Sequence, residues 1–195
     1  VLFRSGAVKS LCQNAVLLHQ GEIETKGSIE SVINHYLEAP KIDHAGIWKK
    51  PAETDSRMPL SINGINVVYD DKSNDHALNV EIEFFVSCSF VQAFLIAIDI
   101  CDHLGVPLMQ AMPESEPSIR LAEGIGKISI VVDMPALIPG RYGVNIWVGT
   151  HFSNTLEYIK DKIFFTVDKS PIPNRTFPYS SDHGYMIPNS KIVSK

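Results

Sequence analysis

The sequence lacks an apolar run near the ~18 residues that a membrane-spanning helix needs. It also lacks a surplus of positive charge, since 17 lysines and arginines stand against 22 acidic residues, a formal net charge of −5. Nucleic acid is therefore not an expected partner, because proteins that bind its phosphates usually carry a basic patch. No secretory signal pattern occurs near the first residue. With 45% hydrophobic and 20% charged residues, the composition is that of an ordinary globular protein.

Cysteine is scarce, and its three positions are Cys12, Cys88 and Cys101. Their spacing matches neither a zinc site nor a framework of paired disulfides. Cys88 and Cys101 fall on neighbouring strand patterns, so we expect free buried thiols, as in a reducing compartment. The seven histidines are scattered singly, so no metal site is expected.

Catalytic motifs are missing as well. There is no G-x-S-x-G sequence and no cysteine in the context of a nucleophile. Asp99, Asp102 and His103 cluster along the chain, but a glycosidase-like pair needs a second acid at a defined separation. The polarity of a turn explains Asp102 and His103 better, so we expect no enzyme activity in this chain.

Residues 1–38 carry the only helical pattern. Residues 14–24 predict a short hairpin with its turn at Gln20-Gly21. Ser28 is a suitable N-cap for an amphipathic helix whose apolar positions are Ile29, Val32, Ile33, Tyr36 and Leu37. Such a short segment cannot bury a core alone, so we interpret it as the end of another domain. Residues 39–58, with Pro40, Gly46 and Pro51, predict a linker, in which Trp48 would pack onto a neighbouring domain.

Residues 59–168 have the alternation of β-strands. Alternating apolar positions, separated by turn residues, predict about seven strands near 62–69, 78–88, 93–101, 108–111, 127–133, 142–149 and 162–167. The absence of a helical pattern between them favours an immunoglobulin-like antiparallel β-sandwich. The predicted fold is therefore mainly β, a sandwich preceded by a short α/β segment.

The strand after Pro139-Gly140 is predicted to be central and to carry the binding site. Its inward residues are Tyr142, Val144, Ile146 and Val148, and its outward residues include Asn145 and Trp147. In an immunoglobulin-like order Ala97 and Asp99 become their cross-strand neighbours. An aromatic plane flanked by amide and carboxylate groups suits a sugar, so Trp147, Asn145, Asp99 and Ala97 are the candidate carbohydrate-binding residues. The alternative is that Trp147 is covered by the linker or by a partner subunit.

Two motifs in residues 1–38 resemble the end of the nucleotide-binding domain of ABC transporters. They are L-x-x-G-x-I-x-x-x-G, at Leu18 to Gly27, and E-x-V-I-x-x-Y, at Glu30 to Tyr36. This pattern is most similar to the ATPase subunits of polysaccharide and O-antigen exporters, which carry an additional C-terminal β-sandwich. The resemblance implies non-catalytic recognition of the exported glycan. The alternative function is a structural dimerisation module that binds no sugar.

The chain departs from that family in the ATPase motifs. No G-x-x-x-x-G-K-[ST] phosphate loop occurs, and Arg4-Ser5 stands where the family has its switch histidine, which leaves open whether residues 1–5 are native. ATP and magnesium are therefore expected only in a full-length parent. The resemblance implies a homodimer, a membrane subunit as partner, and a cytoplasmic location at the inner face of the cell membrane. It also implies that the tail, residues 169–195, exchanges a strand near residues 183–188 with a second copy, the alternative being disorder.

Overall fold

The computed structural model describes residues 11–19, 21–29, 31–32, 35, 46–51, 59–70, 76–87, 93–114, 119–150, 154–172, 179–188 and 190–193. The chain divides into two compact units, residues 1–43 with 104–106 and residues 44–103 with 107–195. No helix in the described part of the chain is long and apolar enough to span a bilayer.

The first unit contains the predicted hairpin. Strands β1 (Asn14–His19) and β2 (Glu22–Ser28) pair antiparallel around Gly21, whose φ of 88° suits a glycine. Ser28 caps the helix that follows, because its Oγ accepts a hydrogen bond from the Ser31 N–H at 3.3 Å. Ile29 and Val32 are buried, as the helical pattern predicted. Ile33, Tyr36 and Leu37 lie outside the described residues.

The second unit is a sandwich of two four-stranded antiparallel sheets. One sheet has the order β10-β9-β6-β7 and the other β3-β4-β5-β8. The strands are β3 (Ile47–Lys49), β4 (Leu60–Asp70), β5 (His76–Val86), β6 (Leu95–Cys101), β7 (Pro107–Ala111), β8 (Gly124–Met134), β9 (Gly140–Gly149) and β10 (Thr155–Val167). The predicted mainly-β sandwich is confirmed, and β9 pairs with β6 on one side and with β10 on the other.

The core lies between the sheets and follows the period of two. Leu78, Val80, Ile82 and Phe84 on β5 are all 0% exposed, because each second side chain of a strand points to the same face. Tyr142 on β9 is 1% exposed and donates a hydrogen bond from its hydroxyl to the Ile138 carbonyl at 2.7 Å. This contact to the backbone four residues upstream is that of a tyrosine corner in an immunoglobulin-like sandwich.

The interval predicted as a linker differs from the expectation, because it contributes β3. This strand pairs with β4 in the register Trp48↔Ile65, and Trp48 packs partly buried against the sandwich core. The Gly46 carbonyl accepts a hydrogen bond from the Val67 N–H at 2.6 Å. Three residues are too few for a period to show in the sequence, so the strand is defined by its partner.

The tail folds back onto its own chain. After a 3-10 turn, Ser181–His183, the Tyr185 carbonyl accepts from the Ile138 N–H at 3.0 Å and the Ile187 N–H donates to the Ala136 carbonyl at 2.8 Å. The Tyr185 hydroxyl donates to Asp102 at 3.0 Å. The part of the tail with strand character is thus paired within one chain, and its exchange with a second copy stays a prediction.

Candidate functional site

The predicted site residues lie on the outer face of the sheet β10-β9-β6-β7. Residues directly opposite one another on neighbouring strands share a face, and they form rows across the sheet. One row is Ala97, Trp147 and Tyr158, and the next places Asp99 opposite Asn145. The predicted cross-strand neighbours of Trp147 and Asn145 are therefore confirmed as pairs, while their role in binding stays a prediction.

Trp147 has its indole held along the sheet. A side-chain carbon added to Gly149 would collide with Cζ2 and Cη2 of the ring, so the ring lies over that glycine. The indole Nε1 donates to Thr155 Oγ1 at 2.9 Å, and Thr155 pairs with Gly149 across β9 and β10. The ring is half-buried, and its only hydrogen-bond donor is already used, so what it offers a ligand is an apolar aromatic surface.

Tyr158 is a site residue that the sequence reasoning missed. It is 44% exposed and lies directly opposite Trp147. The last strand was predicted to begin at Lys162, because the alternation breaks at residues 160–162. The inward residues Ile159 and Ile163 are four positions apart, whereas their partners Ile146 and Val144 are only two apart, so the extra residues form a bulge that takes Asp161 out of the inward row.

Asn145 was predicted to face solvent, and that prediction is wrong. The residue is 3% exposed, because residues 160–162 of β10 bulge out opposite it. Asn145 Oδ1 accepts from the Asp161 N–H at 2.9 Å, and its Nδ2 donates to Cys101 Sγ at 3.2 Å. The amide thus stabilises the bulge, in which Asp161 has a left-handed φ of 56°. Asn145 therefore contributes to the site by fixing the bulge and not through a surface of its own.

Asp99 and Ala97 have different exposures. Asp99 is half-buried, and its Oδ1 accepts from Gln110 Nε2 on β7 at 2.7 Å. Ala97 is only 5% exposed, so it contributes little surface of its own.

The electrostatic surroundings of the site are acidic. Burial raises the pKa of the Tyr158 hydroxyl, and the charges of Asp99 and Asp161 raise it further. Burial also raises the pKa of the Cys101 thiol to about 11, with Asp99, Asp161 and Asp102 adding to the effect. Within the described residues no group of three potential metal ligands occurs. The aromatic pair can stack against an apolar surface of a ligand, and the carboxylates can accept hydrogen bonds from its polar groups.

The fold and the site together define an immunoglobulin-like β-sandwich with an aromatic pair on one outer face. A solved structure with a similar fold is that of the C-terminal domain of Wzt, with a TM-score of 0.55 and 14% sequence identity. The match covers 76% of this chain and 87% of that chain. At this identity the likeness establishes the fold, and it confirms the sandwich that the resemblance to exporter ATPases implied. No protein-family model and no curated protein sequence matches the chain.

Proposed function

We propose that the sandwich is a non-catalytic glycan-recognition domain of a polysaccharide or O-antigen ABC exporter. The observation that carries this proposal is the placement of Trp147. Its indole lies over Gly149 with its N–H bonded to Thr155, and Tyr158 lies next to it with 44% of its surface exposed. Sugars bind to such surfaces because their C–H faces stack on aromatic rings while their hydroxyls find polar groups at the edge.

The polar groups at this edge suit hydroxyl ligands. Asp99 lies in the row next to the aromatic pair, and Gln110 holds its carboxylate in place. A carboxylate with two oxygens accepts about four hydrogen bonds, and Gln110 supplies one of them.

The setting of the domain follows from the two motifs of residues 1–38. We infer that this segment is the remnant of a nucleotide-binding domain, that residues 59–168 are the glycan-binding domain, and that ATP and magnesium bind only in the full-length parent. The partners would be the exported glycan and the membrane subunit of the transporter. The domain would then work in the cytoplasm, at the inner face of the membrane. The hairpin and the cap at Ser28 support the first assignment.

The test of glycan recognition is Trp147→Ala, assayed on a glycan array and then by calorimetry with the glycans that bind. Loss of a central aromatic anchor should weaken binding by about 2 kcal/mol or more. Stability should change by well under the ~3–5 kcal/mol expected for a fully buried tryptophan, because the ring is only half-buried.

Phe85→Ala is the matched control for Trp147→Ala. Phe85 is an outward aromatic residue on the other sheet, 38% exposed, and its loss should leave glycan binding unchanged. Unchanged binding by Trp147→Ala, or complete unfolding of that variant, would show that the tryptophan serves the core or an interface instead.

The rival proposal is a dimerisation module that binds no sugar, and the exposed edge of β8 favours it. Among the described strands β8 pairs only with β5, and its outward Ile125 and Val131 are 73% and 65% exposed. Long edge strands with apolar side chains are ready to pair with another chain. A homodimer is compatible with glycan binding, so the two proposals differ in whether a sugar is bound.

The mode of dimerisation is tested by deleting residues 180–195 and measuring the mass in solution. If residues 185–187 pair with a second copy, the full-length chain should be a dimer and the truncated chain a monomer. Deletion of residues 190–195 alone is the control, since it leaves the pairs with Ala136 and Ile138 intact. A truncated chain that still dimerises would remove the strand exchange, and a monomeric full-length chain would remove both ideas.

A further inference from the structure

Two carboxylates flank the row next to the aromatic pair. Asp99 lies on β6 opposite Asn145, and Asp161 lies in the β10 bulge on the other side of that asparagine. Asn145 itself is buried and bonded to both sides, and beyond Asp99 the row continues to the exposed Gln110 on β7. A glycan stacked on Trp147 and Tyr158 would therefore have two carboxylates along one side.

The field of both acids reaches the aromatic pair. Asp99 and Asp161 add to the effect of burial in raising the pKa of the Tyr158 hydroxyl. Three nearby cations belong in the account. Arg141 has its guanidinium over the Phe164 ring at 4.0 Å, and the charge of Lys160 acts on Cys101 as the smallest contribution to that thiol's pKa. Lys162 is exposed and directly follows Asp161 in the bulge. None of the three is among the causes of the pKa shift at Tyr158, whereas both carboxylates are.

From this geometry we infer that the site binds glycans in which the sugar residue that contacts the site carries hydroxyl groups and neither a carboxylate nor a phosphate. The inference rests on the proposed function and specifies its substrate class. Hydroxyl groups can donate to the oxygens of Asp99, whereas an anionic substituent in the same place would meet like charges at close range. Repulsion of that kind discriminates between ligands of the same shape, because it penalises the wrong one without changing the contacts to the right one.

Matched pairs of soluble 1,4-linked oligosaccharides with the same anomeric configuration test this directly: β-mannan and β-mannuronan, α-galactan and α-galacturonan, β-glucan and β-glucuronan. Within each pair the backbone is the same, and only the group at C6 changes from a hydroxymethyl to a carboxylate. For a pair that binds, calorimetry at low salt should find the neutral member bound at least tenfold more tightly. In the double variant Asp99→Asn with Asp161→Asn that ratio should fall towards one, and Asp133→Asn on β8 should leave it unchanged.

The outcomes separate the two proposals. Equal or tighter binding of the uronic member, or an unchanged ratio in the double variant, overturns the inference and leaves glycan recognition standing. Absence of binding to every member of the three pairs and to the glycan array overturns the proposed function, and this inference with it. The ratio within a pair is unaffected by a uniform loss of folded protein, so reduced stability of the double variant would not produce the expected result.

Discussion

The two outer faces of the sandwich both belong to four-stranded antiparallel sheets, but their outward side chains differ in exposure. On β5, the central strand of one sheet, the outward residues Glu81, Glu83 and Phe85 are partly or well exposed, and Glu81 pairs with Lys127 at 2.9 Å. On β9, the central strand of the other sheet, the outward residues Gly143, Asn145 and Gly149 are all buried. Alternation with polar residues outward describes the first face and fails for the second.

The comparison shows that each buried residue on an outer face is covered by a specific neighbouring group. On β9 each buried outward residue is covered by a particular neighbour. The indole of Trp147 lies over Gly149, the bulge of β10 covers Asn145, and the Phe164 ring lies near Gly143. A face so closely fitted is costly to change, and the aromatic pair within it is the part that still reaches solvent. Three predictions test the comparison, in order of decreasing effect.

The largest effect is expected for Gly149→Ala. The added carbon would collide with the Trp147 ring and also lie too close to the Asn154 backbone oxygen, so the indole must move. We expect a loss of stability of about 1–3 kcal/mol, the usual cost of overpacking, and glycan binding at least tenfold weaker. Chemical unfolding and calorimetry measure the two effects. Gly143→Ala is the control, because its added carbon would make only ordinary contacts at 3.6 Å or more.

The next effect, a loss of stability alone, is expected for Asn145→Ala. The change leaves the Asp161 N–H without its acceptor in the bulge, and losing such a bond costs about 1–3 kcal/mol. Asn79→Ala on β5 is the matched change on the other outer face, where the residue is half-buried, and it should stay within about 0.5 kcal/mol. Urea unfolding measures both. Equal losses in the two variants would contradict the contrast between the faces.

The smallest effect is a pH dependence that arises from Cys101, which is buried on the outer side of β6. Its pKa is raised from 9.0 to about 11, mainly by burial, so the folded state favours the neutral thiol. The stabilisation that arises from the neutral Cys101 thiol is fully present below about pH 9 and is lost as the pH rises towards about 11. At pH 10 Cys101 should account for about 1 kcal/mol of lost stability, and this part should be absent in Cys101→Ala, while the part that comes from the raised pKa values of Tyr158 and Tyr185 remains.

Much of the fold was predictable because it depends on period alone. Inward alternation over Leu78 to Val86 and over Tyr142 to Val148 predicted two strands, of which the second was expected to be central, and the inward residues of both are buried as expected. The neighbours Ala97 and Asp99 followed from the order of strands in a sandwich. β3 and the first half of β10 were missed, because three residues show no period and the bulge at residues 160–162 interrupts one.

By itself the sequence determined which residues of each strand face the core, since a period of two needs no partner to be read. It also placed Trp147 on the outer face and Ser28 at the start of a helix. The burial and the side-chain placement on that outer face depend on tertiary contacts. The burial of Asn145, the placement of the indole over Gly149 and the position of Tyr158 beside it all depend on how β10 packs along β9. Such contacts join residues distant along the chain, and no local pattern encodes them.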